Sequence, residues 1–256
     1  MSNDAARLRR DGAARENSGD DMRTGTVSER TIGRLSLYRR LLNTLRAEGA
    51  RNVYSHELAE LAGSTAAQVR RDLMVVGYSG SPGRGYEIAG LLESLQEFLD
   101  APGGQGVVLV GVGNLGKALL AYFAGRRPNL RIVAALDNDP EKTGRLVHGC
   151  RCYPLEKLAG VIRRHGIRLA VITVPASAAQ EVADRLVRAG VRGLLNFAPV
   201  RLHVPSGIHI EDIDMTTSLE KVAYFAHRGA AAESLSPRLR DRPGGKSGTG
   251  RDAEGS

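Results

Sequence analysis

Apolar residues in the first part of the chain recur with the period of an α-helix. Within residues 28–48, Ile32, Leu35, Leu42 and Leu45 fall on one stripe. A stripe of this kind predicts a helix that buries one face and exposes the other.

The next segment predicts two short helices around a turn. Ser55 can cap the first of them, and Gly63 is expected to end it. Thr65 and Gln68 have the spacing of a capping box, so the second is expected to begin there. The side chains expected to face the core are Leu58, Leu61 and Ala62 in the first of these helices and Val69, Leu73 and Val76 in the second.

The glycine-rich residues 77–86 predict a tight hairpin, which would be the wing of a winged helix-turn-helix. Residues 91–99 predict a linker helix, and the Pro-Gly-Gly sequence within residues 101–106 predicts a boundary between domains. The N-terminal part of the chain is therefore expected to form a winged helix-turn-helix unit.

Beyond residue 106, apolar strands alternate with helices. Strands are predicted at residues 107–110, 132–136, 169–174 and 191–195, and helices at residues 115–124, 154–165 and 176–189. This alternation is typical of a parallel sheet covered on both faces, as in a doubly wound Rossmann-type domain. A last helix is predicted at about residues 217–227.

The fold class expected for the chain is α/β. Residues 1–27 and 229–256 hold few large apolar side chains, so both are expected to be disordered tails. Between the tails, the predicted domains are the winged helix-turn-helix at residues 28–90, a linker at 91–105, the Rossmann domain at 106–212 and a C-terminal helix at 213–228.

Composition adds a bias in charge. Lysine and arginine number 36 against 28 acidic residues, which gives a formal net charge of +8 and favours a polyanionic partner of unspecified kind. No apolar run approaches the roughly 20 residues of a membrane-spanning helix, and the N-terminus lacks the apolar core of a signal peptide. We therefore expect a cytoplasmic protein with no membrane partner.

Two cysteines, Cys150 and Cys152, are separated by one residue. Two cysteines cannot form a disulfide framework or a four-cysteine zinc site. A redox-sensing role would require exposure and a lowered thiol pKa, so ordinary thiols are the favoured interpretation.

A glycine pattern follows the first predicted strand of the second domain. Gly111, Gly113 and Gly116 have the spacing of a dinucleotide fingerprint, and the next strand ends at Asp137, 21 positions after Gly116. The glycines allow backbone amides to approach a pyrophosphate, and the acid would accept hydrogen bonds from ribose hydroxyls, which selects NAD(H) over NADP(H). The alternatives are a packing turn without a ligand and a site for the nucleotide part of coenzyme A.

Residues that would indicate catalysis lack the required context. Tyr153 and Lys157 have the spacing used by short-chain dehydrogenases, but Pro154 places Tyr153 before a helix rather than within one. The histidines are scattered without metal-ligand or acid–base spacing. We therefore expect ligand binding without turnover and no metal. An NAD-dependent oxidoreductase with a basic accessory domain and a nucleotide-binding scaffold protein remain alternatives.

The helix that begins near Thr65 carries the side chains expected to read DNA. Gln68, Arg71 and Asp72 are expected on the face opposite the core, with Arg70 at its flank. Arginine can bind guanine and glutamine can bind adenine in the major groove. Arg84 in the wing would reach the backbone or the minor groove. The alternative is a three-helix packing unit with solvated arginines.

Together these residues resemble the Rex family of redox-sensing transcriptional repressors over about residues 30–227. The resemblance rests on the blocks RLSLYRR at residues 34–40, QVRRDL at 68–73, GVGNLG at 111–116, TVPA at 173–176 and NFAPV at 196–200. It implies a homodimer that binds a palindromic operator when NADH is scarce and that NADH releases. It also implies that the last helix swaps into the partner subunit.

The resemblance assigns roles to individual residues. Those implied to hold NADH or NAD+ are Gly111, Val112, Gly113, Asn114, Leu115, Gly116 and Asp137 on the adenosine and pyrophosphate side, and Thr173, Pro175, Asn196 and Ala198 on the nicotinamide side. Those expected to contact DNA are Ser64, Thr65, Gln68, Arg70, Arg71 and Arg84. The family has a network that couples the redox state of the nicotinamide ring to the position of the DNA-binding domain. The residues that match it are Arg40 and Tyr122, together with Asp214 of the partner subunit.

Two positions depart from the family pattern. The wing reads SPGRGY at residues 81–86, which displaces the basic residue, and Met215 stands where an aromatic residue is common. Operator affinity and packing beside the nicotinamide are the properties that these departures are expected to change.

Overall fold

The structure is a computed structural model that describes residues 27–125 and 129–235, with side chains described as far as Arg228. Nearly all of the predicted N-terminal tail and residues 236–256 of the predicted C-terminal tail lie outside the described residues. The chain divides into two compact units, with the boundary after Gly104. Among the described residues, no helix is long and apolar enough to cross a membrane.

The N-terminal unit is a winged helix-turn-helix. Its elements are α1 (Glu29–Ala47), β1 (Asn52–Val53), α2 (Ser55–Leu61), α3 (Ala66–Val75), β2 (Tyr86–Glu87) and α4 (Ile88–Leu99). The strands β1 and β2 pair antiparallel, with Val53 opposite Tyr86. The predicted hairpin at residues 77–86 is reduced to a tight turn closed by a bridge between Ser81 and Gly85.

The core of this unit joins all four helices. Leu35 and Leu42 of α1 and Leu73 of α3 are fully buried, as predicted. Leu61 was expected to face the core but is 52% exposed. The prediction was wrong because α2 has only seven residues, and Leu58 and Ala59 supply its buried side.

Capping sets the start of the helix that was expected to read DNA. The Thr65 hydroxyl accepts a hydrogen bond from the Gln68 N–H at 3.2 Å, as the capping-box spacing predicts. The cap of α2 is Tyr54 rather than the predicted Ser55, and the Tyr54 N–H donates to the Glu57 carboxylate at 2.7 Å. The beginnings of α2 and α3 are thereby each fixed by a cap.

The helix α4 belongs to the N-terminal unit rather than to a linker. Leu91 and Leu95 are fully buried and pack in the same cluster as Leu35 and Tyr38 of α1. A domain of this size needs that apolar surface to complete its core. The connection to the second unit is therefore much shorter than the predicted residues 91–105.

The second unit contains a seven-stranded sheet in the order β5-β6-β4-β3-β7-β8-β9. The strands are β3 (Gln105–Val110), β4 (Leu130–Asp137), β5 (Leu146–Val147), β6 (Cys150–Pro154), β7 (Leu169–Ile172), β8 (Gly193–Asn196) and β9 (His209–Asp212). All neighbours pair parallel except β5 and β6. This confirms the predicted Rossmann-type sheet.

Helices cover both faces of the sheet. They are α5 (Asn114–Phe123), α6 (Leu158–His165) and α7 (Ala176–Ala189). Val108 and Val110 of β3 pack in the cluster that includes α6 and α7, whereas Val107 and Leu109 pack in the cluster that includes α5. Alternate residues of one strand thus enter two cores, which is why the strands appear as continuous apolar runs in the sequence.

The segment at residues 154–165 does not form the single predicted helix. Its first residue ends β6, a 3-10 turn spans Leu155–Lys157, and α6 follows. Pro154 fixes the extended entry to this turn because its φ is restricted.

The last helix, α8 (Met215–Leu235), is longer than predicted at both ends. Residues 229–235 are therefore helical rather than part of a disordered tail. Leu219, Val222 and Phe225 are each at least 65% exposed, so α8 presents large apolar side chains that the described part of the chain does not bury.

Candidate functional site

A glycine turn joins β3 to α5 at the carboxyl edge of the sheet. Gly111 has φ +101°, and a Cβ at this position would lie 2.6 Å from the Thr173 carbonyl oxygen. No other residue fits there without displacing β7. The Thr173 hydroxyl donates to the Gly111 carbonyl at 2.7 Å, which holds the ends of β3 and β7 together.

Gly113 differs from Gly111 because the space beside it is open. A Cβ added at Gly113 would meet no atom of the described residues within 4 Å. Gly113 also precedes the first turn of α5, which carries no acidic residue. An α-helix N-terminus with free amides and an open approach suits a phosphate group.

Asp137 ends β4 beside this turn and is 7% exposed. One carboxylate oxygen accepts from the Val112 N–H at 2.7 Å, and the other accepts from the Asp139 N–H at 2.9 Å. Lys142 Nζ lies 3.4 Å from the first oxygen. The predicted ribose acceptor thus also anchors the glycine turn, and the oxygen that accepts from Asp139 keeps a lone pair for a hydroxyl donor.

The residues predicted to line the nicotinamide side lie at the ends of the neighbouring strands. Thr173 and Pro175 follow β7, and Asn196 ends β8. The Asn196 amide is 1% exposed; it donates to Asp212 Oδ1 at 2.8 Å and accepts from the Ala198 N–H at 3.0 Å. Asn196 therefore shapes the turn after β8 through bonds within the protein.

The structure brings the predicted dinucleotide residues to one edge of the sheet. Ligands of doubly wound sheets bind at the carboxyl ends of the strands, next to the point where the strand order reverses. Here β4 and β7 lie on opposite sides of β3, so the glycine turn stands at that point. The arrangement fits a dinucleotide.

The predicted redox-coupling residues belong to three different elements of the fold. Tyr122 on α5 is 56% exposed, and Arg40 is an exposed residue of α1. Asp214 caps α8: its two oxygens accept from the Thr217 N–H at 2.9 Å and from the Thr217 hydroxyl at 2.6 Å. These bonds lower the pKa of Asp214. The contact of Arg40 and Tyr122 with Asp214 of the partner subunit stays a prediction.

Asp72 does not lie on the solvent face of α3, contrary to the sequence prediction. It is 2% exposed. The Arg34 Nε and NH2 donate to its two oxygens at 2.6 and 2.7 Å, and the Tyr38 hydroxyl donates at 3.0 Å. The prediction failed because α1 packs against this side of α3, so a position that is polar in sequence faces polar partners on α1.

Burial alone would raise the pKa of Asp72, but the hydrogen bonds from Arg34, Gln68 and Tyr38 outweigh it and hold the pKa below its ordinary value. Asp72 is therefore a buried carboxylate with three donors. Sequence reasoning gave no role to Arg34 or Tyr38, since nothing in the chain links them to a residue more than 30 positions away.

The exposed side chains of α3 are connected to this cluster. The Gln68 amide donates to Asp72 at 2.9 Å and accepts from Arg71 NH2 at 2.7 Å. Arg70 donates to the Ser55 hydroxyl at 3.0 Å. Arg70 and Arg71 both reach solvent, as a helix that contacts DNA requires.

The remaining predicted DNA contacts lie around α3. Ser64 and Thr65 occupy the turn before the helix, where Ser64 is half-buried and Thr65 is exposed. Arg84 is exposed in the wing turn. All six predicted DNA residues thus belong to the N-terminal unit.

The cysteines, the Tyr153–Lys157 pair and the possible metal ligands show no arrangement that favours a second chemistry. Burial raises the pKa of Cys150 to about 11, with a smaller effect from Cys152, and burial also raises the pKa of Cys152. Tyr153 lies in β6 and Lys157 in the following turn, so they do not share a helix. Within the described residues, no three His, Cys, Asp or Glu side chains are placed to hold a metal.

Comparison with protein families gives two matches. Residues 105–200 match the family described as "CoA binding domain", and residues 26–73 match the family described as "Putative DNA-binding protein N-terminus". The two matches fall on the sheet domain and on the winged helix-turn-helix.

Curated relatives cover most of the chain. The redox-sensing transcriptional repressor Rex of Carboxydothermus hydrogenoformans is 41% identical over 202 residues, which are 79% of this chain and 97% of the relative. The Rex repressor of Anoxybacillus flavithermus is 42% identical over 199 residues, covering 78% and 93% of the two chains.

Solved structures agree with the relatives. RSP, a Rex-family repressor, superposes with a TM-score of 0.73 and 31% identity over 82% of this chain and 98% of its own. RSP in complex with β-NAD+ and operator DNA gives a TM-score of 0.74 and 30% identity over 83% and 98% of the two chains. With this coverage and identity, the chain belongs to the Rex family.

Proposed function

We propose that the chain is a redox-sensing repressor that binds a palindromic operator and that NADH releases, so that transcription follows the NADH/NAD+ ratio. The observation that carries the proposal is that one chain holds a basic, exposed α3 and a glycine turn anchored by Asp137. RSP has been solved both with β-NADH and with β-NAD+ and operator DNA, which supports the same pairing of ligands here.

The chain acts as a switch rather than an enzyme in this proposal. The conformation that releases DNA must bind NADH more tightly than the DNA-bound conformation does, because a ligand with equal affinity for both shifts nothing. To change the ratio of the two conformations from 1:99 to 99:1, NADH must bind one of them about 10⁴-fold more tightly than the other. Reduced and oxidised nicotinamide differ by one charge, so a carboxylate such as Asp214 can discriminate between them.

The proposal includes a homodimer with an exchanged α8. Two observations support it. The apolar residues of α8 are exposed, and an apolar cavity of about 230 Å3 remains in the second unit, lined by residues that include Val107, Leu169 and Leu195. Apolar surface of this kind is typical of an interaction site. A dimer also matches a palindromic operator, and such a repressor acts in the cytoplasm.

The test is selection of duplexes from a random pool at fixed salt, without ligand, with NAD+ and with NADH. A palindrome enriched in the first two selections and lost in the third is the expected result. No enrichment in any selection contradicts the proposal. Parallel titrations with NADH, NAD+ and coenzyme A decide which ligand the glycine turn binds, since the family match on residues 105–200 also favours coenzyme A.

A further inference from the structure

A basic cleft lies at the base of the wing in the N-terminal unit. It has a volume of about 510 Å3, and its walls come from the end of α1, from β1, from the wing turn and from the start of α4. Arg46, Arg51 and Arg84 line it together with serine and asparagine side chains, and Glu87 is the acidic residue of the lining. The charged groups of the lining therefore give it a net positive charge.

The arginines of the cleft differ from the structural arginines of the same unit. Arg34 and Arg39 each form an ion pair with an aspartate, at 2.6 and 2.7 Å. Neither Arg51 nor Arg84 forms an ion pair within the described part of the chain, and both are exposed. Arg46 donates to the neutral Asn43 amide at 3.1 Å. These charges are available to an external anion.

The cleft is attached to the same frame as α3. The Tyr54 hydroxyl donates to the Gly83 carbonyl at 3.0 Å, which ties the beginning of α2 to the tip of the wing. Arg70 of α3 donates to Ser55 in the first turn of α2. The wing and α3 are therefore both tied to the beginning of α2.

We propose that the cleft binds a phosphate of the DNA backbone, with Arg46 and Arg51 adding to the contact made from the wing by Arg84. This inference rests on the proposed function. Guanidinium groups match the oxygens of a phosphodiester in pairs. Phosphate contacts fix the position of a protein on the duplex and carry no sequence information, so the cleft contributes affinity rather than base discrimination.

The experiment uses the full chain and compares Arg46→Gln and Arg51→Gln with wild type. Arg192→Gln is the matched control, because Arg192 is an exposed arginine of the second unit. Affinity is measured by fluorescence anisotropy against salt concentration, on the selected operator and on a shuffled duplex of equal length. Thermal unfolding of each variant shows that it is folded.

Because each subunit of the proposed homodimer carries one cleft, each variant removes two phosphate contacts and is expected to make the negative slope of log affinity against log salt shallower by about 1.8. Its deficit relative to wild type then shrinks by about 12-fold between 50 and 200 mM salt, and equally on both duplexes. Slopes equal to those of wild type and Arg192→Gln would overturn the cleft contact. Failure of the proposed function is distinct: wild-type binding would then not respond to NADH, while the slopes would still report on the cleft.

Discussion

Arg34 of α1 forms a bidentate ion pair with Asp72 of α3, with Nε 2.6 Å and NH2 2.7 Å from the two carboxylate oxygens. The contact joins the first helix to the helix that carries Arg71, across 38 positions of sequence. Because Asp72 also accepts from the Gln68 amide, the pair fixes side chains on both sides of the helix interface.

Asp72→Asn is expected to destabilise the chain by about 2 kcal/mol. The change leaves the Arg34 guanidinium without its anion, and buried charge pairs that lose one partner are costly. The cost stays moderate because the Arg34 side chain is 28% exposed and can recover water. Urea unfolding of the full chain measures the change, and Asp100→Asn, which removes the acid facing Arg39, serves as a comparison. An unchanged midpoint for Asp72→Asn would contradict the assigned role of the pair.

The same residue predicts a pH dependence of stability. The pKa of Asp72 is lowered in the folded chain, so its contribution is fully present above the unfolded value of about 3.9 and is lost as pH falls through the lower folded pKa. The difference in unfolding free energy between wild type and Asp72→Asn is therefore expected to be constant above about pH 5 and to shrink below the unfolded pKa. Unfolding curves from pH 2.5 to 6 test this, and a difference that does not vary with pH excludes the carboxylate as its source.

The proposed base contacts come from the exposed end of this cluster, at Arg71 and Gln68. Arg71→Ala is expected to lose about 1–3 kcal/mol of discrimination between the operator and a single-base variant, the usual value of a bidentate base contact. Asp72→Asn is expected to lose part of the same discrimination, because the amide has one acceptor oxygen where the carboxylate has two, and Arg34 and Gln68 then compete for it. Equal weakening on all sequences would instead identify Arg71 as a phosphate contact.

How far the sequence predicts the fold depends on how local each signal is. The helical period of α1 and the strand–glycine–helix pattern around Gly111 are local, and the structure confirms both elements, although Ile32 of the predicted stripe is 38% exposed. The burial of Asp72 depends on Arg34 and Tyr38, which only packing brings near. The edge strand β9 escaped prediction because three of its four residues are exposed and show no alternation.

In the candidate site, too, local signals could be predicted from the sequence and contacts between distant residues could not. The position of Asp137 followed from its distance along the chain after the glycines, and the structure places it beside them. The hydrogen bond from the Asn196 amide to Asp212 could not be predicted, because Asp212 lies on the neighbouring strand. Contacts between strands far apart in the chain are set by the assembled sheet.

The glycine turn offers a paired test of ligand binding. Gly113→Ala places a methyl group where the described chain has open space, so the fold is expected to be kept while NADH affinity falls by at least about tenfold, or 1.4 kcal/mol. Gly111→Ala should instead lower the unfolding temperature, because its φ is +101° and the Thr173 carbonyl lies in the way. Calorimetric titration and thermal unfolding separate the two effects. Unchanged NADH affinity in folded Gly113→Ala would exclude a pyrophosphate at this turn.

The cysteines are expected to take no part in redox sensing. With its pKa raised to about 11, Cys150 remains a thiol at pH 8, and buried thiols react slowly. Both cysteines should react with a disulfide reagent only after unfolding, and release of DNA by NADH should be unchanged in Cys150→Ser. Rapid labelling of the native chain would show that the thiols are accessible, and an altered response of Cys150→Ser to NADH would show that Cys150 takes part in sensing.

The exposed apolar face of α8 predicts the oligomeric state. Leu219 and Val222 are 70% and 65% exposed, and a second copy that covers them would bury them in a dimer. The double variant Leu219→Gln and Val222→Gln is expected to dissociate at a protein concentration at least about tenfold higher than wild type, since each apolar side chain contributes about 1.5–3 kcal/mol when buried. Lys221→Gln, an exposed change on another face of the same helix, is the control. Sedimentation over a concentration series measures the dissociation. Identical dissociation of wild type and the double variant would mean that this face of α8 does not hold the dimer together.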